Sequence, residues 1–314
     1  MKPSSIISLI IAALLIIVGL TTCIIAQNMA NANGETLFSE AKSDGLVNTM
    51  DLTDMAISKI ELIVRDAEIN IYGKSSSSYV EFVNFRENYY TLTTSNKVLS
   101  FDEIPDVVSM LKFWENGFSF KGMRYIFNFH PETEGKKIIN VYLASDMDIK
   151  IFNITAENCV LNLENLTSGS DYNITVTTGD INVKTLKTSS AFNVTGTDLK
   201  LNMNTAVLTN TNIKAENLEM SVSSFRANGT TSIECGSGNI DLVTPYAVES
   251  LNLDFDTTDG KILINGNRTS SPYQQTNPDS PDAKINITSK TADISVRQNS
   301  ASQGNTTETD TPEA

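Results

Sequence analysis

The sequence is poor in cysteine, histidine, tryptophan and positive charge. Its 314 residues include three cysteines, one histidine and one tryptophan, and 23 Lys and Arg stand against 37 Asp and Glu, for a formal net charge of −14. Because proteins that bind nucleic acid need clustered Lys and Arg, this balance excludes a nucleic-acid partner and argues against broad docking on anionic lipid. The lone His130 precedes a proline without a Ser or Cys constellation, which indicates a turn residue rather than a catalytic one.

Two cysteines, Cys159 and Cys235, fall in the part of the chain that we expect to be exported, where disulfides form. They lie about four repeats apart in the pattern described below. At ~4.8 Å per stacked strand that separation is roughly 19 Å, well beyond the ~7 Å between Cα atoms that a disulfide spans. The sequence therefore predicts two free, mostly buried thiols.

Residues 6–26 form an uncharged apolar run preceded by Lys2. Because about 20 apolar residues cross a bilayer as a helix, this run predicts a transmembrane anchor, and Lys2 favours a cytoplasmic N-terminus. A signal peptide cleaved after Ala30-Asn31-Ala32 and a lipoprotein modified at Cys23 are the alternatives. In each case the rest of the chain is placed outside the membrane, so the expected location is the cell membrane, single-pass, with an extracellular C-terminal domain.

Composition divides the chain into segments. Residues 1–5 are the predicted cytoplasmic end, and residues 27–56 are small and polar, typical of a juxtamembrane spacer. Residues 57–298 carry strand patterns, interrupted by an aromatic insert at 102–129 with a possible helix, and by a Pro- and Ser-rich segment at 267–281 that predicts a surface loop. Residues 299–314 are polar and acidic, which predicts a disordered tail.

A short polar corner followed by an alternating strand recurs seven times between residues 158 and 294. Six of the corners are spaced by 22, 18, 19, 22 and 21 residues, with anchors at Asn158, Asp180, Asp198, Asn217, Asn239 and Gly260. A period near 20 residues indicates stacked units that are each too small to bury a core alone. The predicted fold is therefore all-β, a repetitive β-solenoid ectodomain after one N-terminal transmembrane helix.

Several of these strands carry a family resemblance. The segments 177–183 (TTGDINV), 236–242 (GSGNIDL) and 257–266 (TTDGKILING) resemble the recurring T-x-S-G-D-I-x-L strands of bacterial putative-adhesin, or toastrack, domains. The resemblance covers about residues 55–298. It implies a single-stranded, right-handed β-solenoid-like fold at the bacterial cell surface. It also implies an association with envelope-stress sensing systems, and it brings no established catalytic residues.

The repeated acids have two interpretations. Asp180, Asp198, Asp241, Asp259 and Asp293 follow the repeat, as expected for acids that accept backbone N–H bonds at a recurring turn. A polysaccharide-active β-helix enzyme would instead need two of them about 5 to 9.5 Å apart in a cleft. We favour turn chemistry and expect no catalytic residue, metal or other cofactor. The Asn-x-Ser/Thr sequons, such as those at Asn153 and Asn173, are attributed to strand composition.

The aromatic insert is the sequence's main candidate for a partner-binding surface. Exposed aromatic patches mark recognition sites, but a solenoid also needs its ends capped, and both roles stay open here. The candidate residues are Phe113, Trp114, Phe118, Phe120, Tyr125 and Phe127.

The function predicted from these features is a non-enzymatic, membrane-anchored extracellular binding or scaffolding protein, placed in envelope-stress sensing. The expected partners are the membrane, through residues 6–26, and an envelope protein or cell-wall glycan. A cell-surface adhesin that binds glycan or protein is the alternative, and a polysaccharide-active enzyme is a remote one.

Overall fold

A computed structural model describes residues 47–85, 90–104, 135–277 and 283–299. These residues form a 17-stranded sheet with a short 3-10 helix at Val248–Ser250, which confirms the all-β prediction. Across the described ranges, no helix has the length and apolar character needed to cross a membrane. The apolar run at 6–26 lies outside those ranges.

The strands follow one another with short connections, except between β5 and β6. They are β1 (Val47–Asp51), β2 (Lys59–Ser75), β3 (Tyr79–Val83), β4 (Tyr90–Ser95), β5 (Val98–Glu103), β6 (Ile138–Ala144), β7 (Ile151–Glu164), β8 (Leu166–Ser168), β9 (Asp171–Val222), β10 (Phe225–Ala227), β11 (Thr230–Thr244), β12 (Asn252–Thr257), β13 (Ile262–Ile264), β14 (Asn267–Thr269), β15 (Tyr273–Gln275), β16 (Lys284–Ser289) and β17 (Asp293–Gln298).

Successive coils pair in parallel at intervals of about one repeat. In β7, Asn153 pairs with Glu61 of β2 on one side and with Asn173 of β9 on the other. β9 is 52 residues long and winds through successive coils before its last part pairs with β11. Because equivalent residues lie above one another, the prediction of a repetitive β-solenoid is confirmed.

Alternating side chains of each coil form the core. In β7 the burial pattern alternates strictly until the corner, as expected for a strand with one face inside. Across three coils, Phe152 stacks on Tyr172 with ring centroids 5.0 Å apart, and the tilted ring of Phe192 lies against Tyr172 at 6.3 Å. Apolar burial in register along the stack is what joins units that are too small to fold singly.

The sequence pattern missed one coil. β2 pairs with β7 along nearly its whole length, and Asp66 lies in register with the anchor Asn158. Residues 65–71 (RDAEINI) are therefore a further copy of the corner and strand. The sequence pattern does not reveal this copy, because the insertion of β3 to β6 separates it from the other copies.

The coils are not stacked in chain order at the C-terminal end. β16 lies between β11 and β12, since Ile287 pairs with Ile233 on one side and with Phe255 on the other. β17 lies in the same way between β11 and β13. The last repeat in the sequence is therefore an inner coil, and the repeat before it forms the outer one.

Antiparallel strands cover both ends of the stack. At one end β4 pairs with β5, β3 with β6, and β1 with β3. At the other end β15 pairs with β12 and β14 with β13. The sequence predicts a surface loop at 267–281, and residues 267–277 do lie at the surface. The loop prediction is wrong for Asn267–Thr269 and Tyr273–Gln275, because these residues are strands that complete the sheet. β1 likewise falls within the segment 27–56 interpreted as a spacer, so the folded part begins earlier than the sequence indicated.

Cys159 and Cys235 are both free and buried, as predicted. Cys159 lies in β7 beside Ala67 and Gly179, and Cys235 lies in β11 beside Ala215 and Ser289. Different coils thus hold the two thiols, which keeps them apart.

Candidate binding surfaces

The corners of five coils form a groove of about 470 Å³, which we call the corner groove. Its floor includes Cys159, Gly179 and Leu199, and its rim carries carboxylates on neighbouring coils. Burial and the nearby carboxylate of Asp66 raise the pKa of the Cys159 thiol to about 12. A thiol with so high a pKa stays protonated at neutral pH, so Cys159 acts as a small apolar wall residue.

Polar side chains at these corners bond from coil to coil. The Ser237 hydroxyl donates to Asn217 Oδ1 at 2.5 Å, and Asn217 Nδ2 donates to Asp198 Oδ1 at 2.5 Å. Farther along the stack, Asp293 accepts the backbone N–H of Lys261 at 2.9 Å. Asp198 and Asp293 therefore hold neighbouring coils together. Asp241 is ion-paired with Arg297 at 3.2 Å, while Asp180 lines the corner groove.

Two rows of asparagines run along the outer faces of the stack. In the first asparagine ladder, Asn193 donates to Asn173 at 2.9 Å, Asn173 to Asn153 at 3.0 Å, and Asn153 to the Glu61 carboxylate at 3.3 Å. Amide rows of this kind are typical of strands stacked in register. They explain the sequons at Asn153, Asn173 and Asn193 as structural residues.

The second asparagine ladder is longer and starts at Asn202. Asn202 donates to Asn182 at 3.2 Å, Asn182 to Asn162 at 3.1 Å, and Asn162 to Asn70 at 2.7 Å. The row continues from Asn70 to Asn140 at 2.8 Å and ends at the Glu81 carboxylate at 3.2 Å. It therefore joins β9, β7, β2, β6 and β3 on one face.

Each asparagine ladder has one direction because it ends on a carboxylate. An ionised carboxylate only accepts hydrogen bonds, so the amide next to Glu61 or Glu81 must donate to it. The oxygen of that amide then accepts from the following amide, and the same orientation is imposed on the whole row. Aligned donors polarise one another, which strengthens the row and stiffens this face of the stack.

The second asparagine ladder lines a groove of about 440 Å³, which we call the ladder groove. Its lining includes Asn70, Asn162, Asn182 and Asn202, together with Tyr72 at one end. Next to the amides, Glu164 forms an ion pair with Lys184 on the following coil. This groove is polar, in contrast with the apolar floor of the corner groove.

Three tyrosines continue the face beyond the ladder groove; we call them the tyrosine stack. The Tyr72 and Tyr142 rings have centroids 5.0 Å apart, and those of Tyr142 and Tyr79 are 4.4 Å apart. All three are partly exposed. Burial, reinforced by Glu164 near Tyr72 and by Glu81 near Tyr142, raises the pKa of both phenols, so they stay neutral hydrogen-bonding groups.

The aromatic residues chosen from the sequence lie outside the described ranges. This applies to Phe113, Trp114, Phe118, Phe120, Tyr125 and Phe127, and also to His130. The described residues show where that segment is attached: the chain leaves β5 at Glu103 and re-enters the sheet at β6. The strand β2 pairs with both β5 and β6, and it crosses the corner between them with only a few residues and no insertion.

Glu103 joins the two ends of this insertion. Its side chain is 7% exposed, accepts the backbone N–H of Arg65 at 2.7 Å, and forms an ion pair with Lys137 just before β6. The carboxylate therefore closes the corner where the aromatic segment is attached. Sequence reasoning missed this residue, because nothing in the local pattern separates Glu103 from other strand acids.

Sequence reasoning also missed the ladder groove. The recurrence of Asn162, Asn182 and Asn202 at intervals of 20 residues was available as a signal, since equal spacing within a repeat of that length places side chains above one another. The tyrosine stack had no such signal, because Tyr72, Tyr79 and Tyr142 come together through the insertion of β3 and β6.

The family model that matches this chain is described as Toastrack DUF4097 and covers residues 139–297. Among solved structures, a "putative cell adhesion protein" from Clostridium sporogenes is 13% identical, with 81% of this chain and 100% of that chain covered and a TM-score of 0.34. A "putative adhesin" from Bacteroides fragilis is 11% identical, with coverage of 81% and 97% and a TM-score of 0.43. No curated protein matches the sequence. The family match spans half of the chain, and the chain belongs to the Toastrack DUF4097 family.

Proposed function

We propose that this chain is a non-enzymatic binding protein, anchored in the cell membrane through residues 6–26 and displaying its β-solenoid outside the cell. The observation that supports the proposal is the stack itself. Its outer faces carry polar side chains in register over several coils, and these line the ladder groove and the rim of the corner groove. A rigid stack with long outer faces is suited to holding a partner along its length.

The repeated acids support a binding role over catalysis. Asp198 and Asp293 bond to neighbouring coils, and Asp241 is ion-paired. A glycosidase would use a carboxylate pair as acid and base or nucleophile in a cleft. Acids that hold coils together serve the stability of the stack. They do so differently from the turn interpretation, since of these three described residues only Asp293 accepts a backbone N–H, and that N–H belongs to another coil.

The partner we propose for the aromatic segment is an envelope protein, which gives the chain a role in envelope-stress sensing. The segment that contains Trp114 is inserted at a corner of the end layer and is joined at its base through Glu103 and Lys137. A segment fixed at both ends on a rigid stack loses less entropy on binding than a free tail would.

The extracellular location is tested by labelling intact cells with a membrane-impermeant maleimide. Lys200 is exposed on the stack, whereas Cys159 and Cys235 are buried, so Lys200→Cys introduces an accessible thiol into the described part of the chain. We expect the Lys200→Cys chain to be labelled in intact cells above the level of the unsubstituted chain. Labelling of that thiol only after cell lysis would contradict the proposed location.

A further inference from the structure

The ladder groove and the tyrosine stack form one continuous surface along the second asparagine ladder. From Asn202 to Glu81 the ladder crosses five coil-to-coil steps, which amounts to roughly 24 Å at ~4.8 Å per step. Tyr72 lies at the end of the groove, and Tyr142 and Tyr79 continue beyond it. The surface is thus long, which suits an extended chain.

The amides of this surface differ in the hydrogen-bonding capacity that they keep for a ligand. Asn162 donates to both Asn70 and Glu68, and Asn70 is buried, so Asn182 is the interior amide with sites to offer. An asparagine side chain has two N–H donors and an oxygen with two lone pairs. In Asn182 the second ladder uses one N–H toward Asn162 and accepts one N–H from Asn202. One donor and one acceptor site of this partly exposed amide lie outside the ladder. Hydroxyl groups, which both donate and accept, complement such a pair of sites.

The charge on the ladder groove argues for a neutral ligand. Its two carboxylates are both ion-paired, Glu68 with Lys136 at 2.8 Å and Glu164 with Lys184. Outside the groove, at the end of the ladder, the Glu81 carboxylate accepts the Asn140 amide at 3.2 Å. The rim of the corner groove, by contrast, carries the carboxylates of Asp66, Asp180, Asp198 and Glu219 against two lysines. A basic peptide would be drawn to the corner groove, and an anionic chain would gain nothing from the balanced charges of the ladder groove.

The tyrosine side chains add apolar rings and polar hydroxyl groups to this surface. A tyrosine ring offers apolar surface and a hydroxyl that donates and accepts, so it suits a ligand with both C–H faces and hydroxyls. Because Tyr72 is held against Tyr142, and the amides are locked in their ladder, little side-chain entropy is lost on binding. Sugars combine the hydroxyls and the C–H faces that these groups complement.

We propose that the ladder groove and the tyrosine stack bind a neutral, unbranched polysaccharide that lies along the stack. The inference rests on the proposed extracellular location, since such a chain is met outside the cell. It adds a ligand class and a site of its own, separate from the aromatic segment that we assign to an envelope protein.

The test is affinity electrophoresis of the full chain in gels that contain hydroxyethyl cellulose, glycol chitin or dextran. Gels with polygalacturonate and soluble poly-lysine provide the charged comparison. We expect retardation by at least one neutral polysaccharide. Retardation by none of the neutral polymers, or only by a charged one, would overturn the proposal.

Two substitutions locate the site and one controls for stability. We expect Tyr72→Ala and Asn182→Ala each to weaken binding by about tenfold, the effect of losing roughly one good contact. Asn173→Ala removes an equivalent interior amide from the first asparagine ladder, on another face, and is expected to leave affinity within about twofold. Equal losses in Asn182→Ala and Asn173→Ala would assign the effect to the stack's stability and reject the site.

Two features keep this test decisive. Tyr72 is a partly exposed end residue, so Tyr72→Ala remains informative if Asn182→Ala does not fold, as judged by circular dichroism. Binding to purified protein is independent of location in the cell. Loss of maleimide labelling therefore contradicts the proposed function, whereas loss of retardation contradicts the polysaccharide site.

Discussion

At the scale of single residues, the short distance between the backbones of neighbouring coils limits which residues can occupy the corners. Gly238 has φ +128°, and a Cβ at this position would lie 2.0 Å from the carbonyl oxygen of Leu218 on the preceding coil. At position 238, both the positive φ and the short distance to the neighbouring backbone exclude a residue with a side chain. Gly266 also has a positive φ, +79°, but a Cβ at that position would meet nothing within 4 Å. A substitution at Gly266 therefore strains the backbone without causing a steric clash.

We therefore expect Gly238→Ala to lower the free energy of unfolding by about 3 kcal/mol or more, because strain and a backbone clash add together. Gly266→Ala is the matched control and should cost only about 1 to 2 kcal/mol, the conformational part alone. Urea unfolding followed by circular dichroism measures both. Equal effects would show that coils at this corner are not as close as described.

The two cysteines give a prediction about chemical reactivity. Burial raises the pKa of the Cys235 thiol to about 11, and that of Cys159 to about 12 with Asp66 adding to the effect. Since only the thiolate is nucleophilic, iodoacetamide at about pH 8 should modify neither residue in the folded protein and both in denaturant. Peptide mass spectrometry distinguishes them from Cys23. Rapid modification of Cys159 in the native protein would contradict its place in the groove wall.

At the scale of secondary-structure elements, the attachment of the aromatic segment depends on Glu103. Removing this carboxylate leaves the backbone N–H of Arg65 and the Lys137 ammonium without their buried acceptor. We expect Glu103→Ala to destabilise the protein by about 3 kcal/mol, as for a broken buried ion pair. Glu164→Ala breaks the more exposed pair with Lys184 and should cost less than about 1 kcal/mol.

Thermal unfolding of the two variants, with the wild type beside them, measures the difference. The outcome that would count against the account is a Glu103→Ala protein as stable as Glu164→Ala. That result would mean that the corner between β5 and β6 is open to water and that Glu103 does not hold the ends of the insertion together.

Much of the element pattern was predictable, because a strand with one buried face alternates with a period of two residues. Phe152, Ile154, Leu161 and Leu163 follow this rule and are all buried. The position of β17 was not predictable. Its corner at Asp293 reads like the other corners, and no local pattern states which coil a strand will join. The asparagine ladders needed the register between coils, which only the complete stack defines.

At the scale of the whole molecule, the exchanged order of the last two coils makes the C-terminal end one unit. β16 and β17 connect β11 to β12 and β13, so the outer coil depends on residues that follow it in the chain. In a solenoid stacked in chain order, removing the last repeat exposes one new end. Here, deleting the last repeat would remove strands that join the outer coil to the rest of the stack.

Truncation tests this arrangement. A chain that ends at residue 299 keeps every described strand, and we expect its melting temperature to equal that of the full chain. A chain that ends at residue 277 lacks β16 and β17, and its melting temperature should fall by more than about 5 °C, since a domain of this size loses roughly 2 to 4 °C per kcal/mol. Equal melting of the two truncated chains would contradict the described coil order.

The fold class and the family could be predicted from the sequence, because the polar residues of the corners recur with the repeat. The candidate site was much less accessible. Sequence reasoning selected the aromatic residues around Trp114, whereas the described surfaces draw on Asn182, Tyr72 and Tyr142, which meet only through register and insertion. A surface assembled from separate coils leaves a weak local signal, whereas an aromatic cluster in one segment leaves a strong one.

The most direct test of the proposed binding role is photo-crosslinking of the full chain in native membranes. A photoreactive residue replaces Trp114 in one variant and, in the control, Lys187, which is exposed on the stack outside both grooves. We predict that position 114 captures one envelope protein, that reverse crosslinking from that protein recovers this chain, and that position 187 captures no partner. Crosslinks from position 114 confined to this chain would contradict a partner-binding role for the aromatic segment.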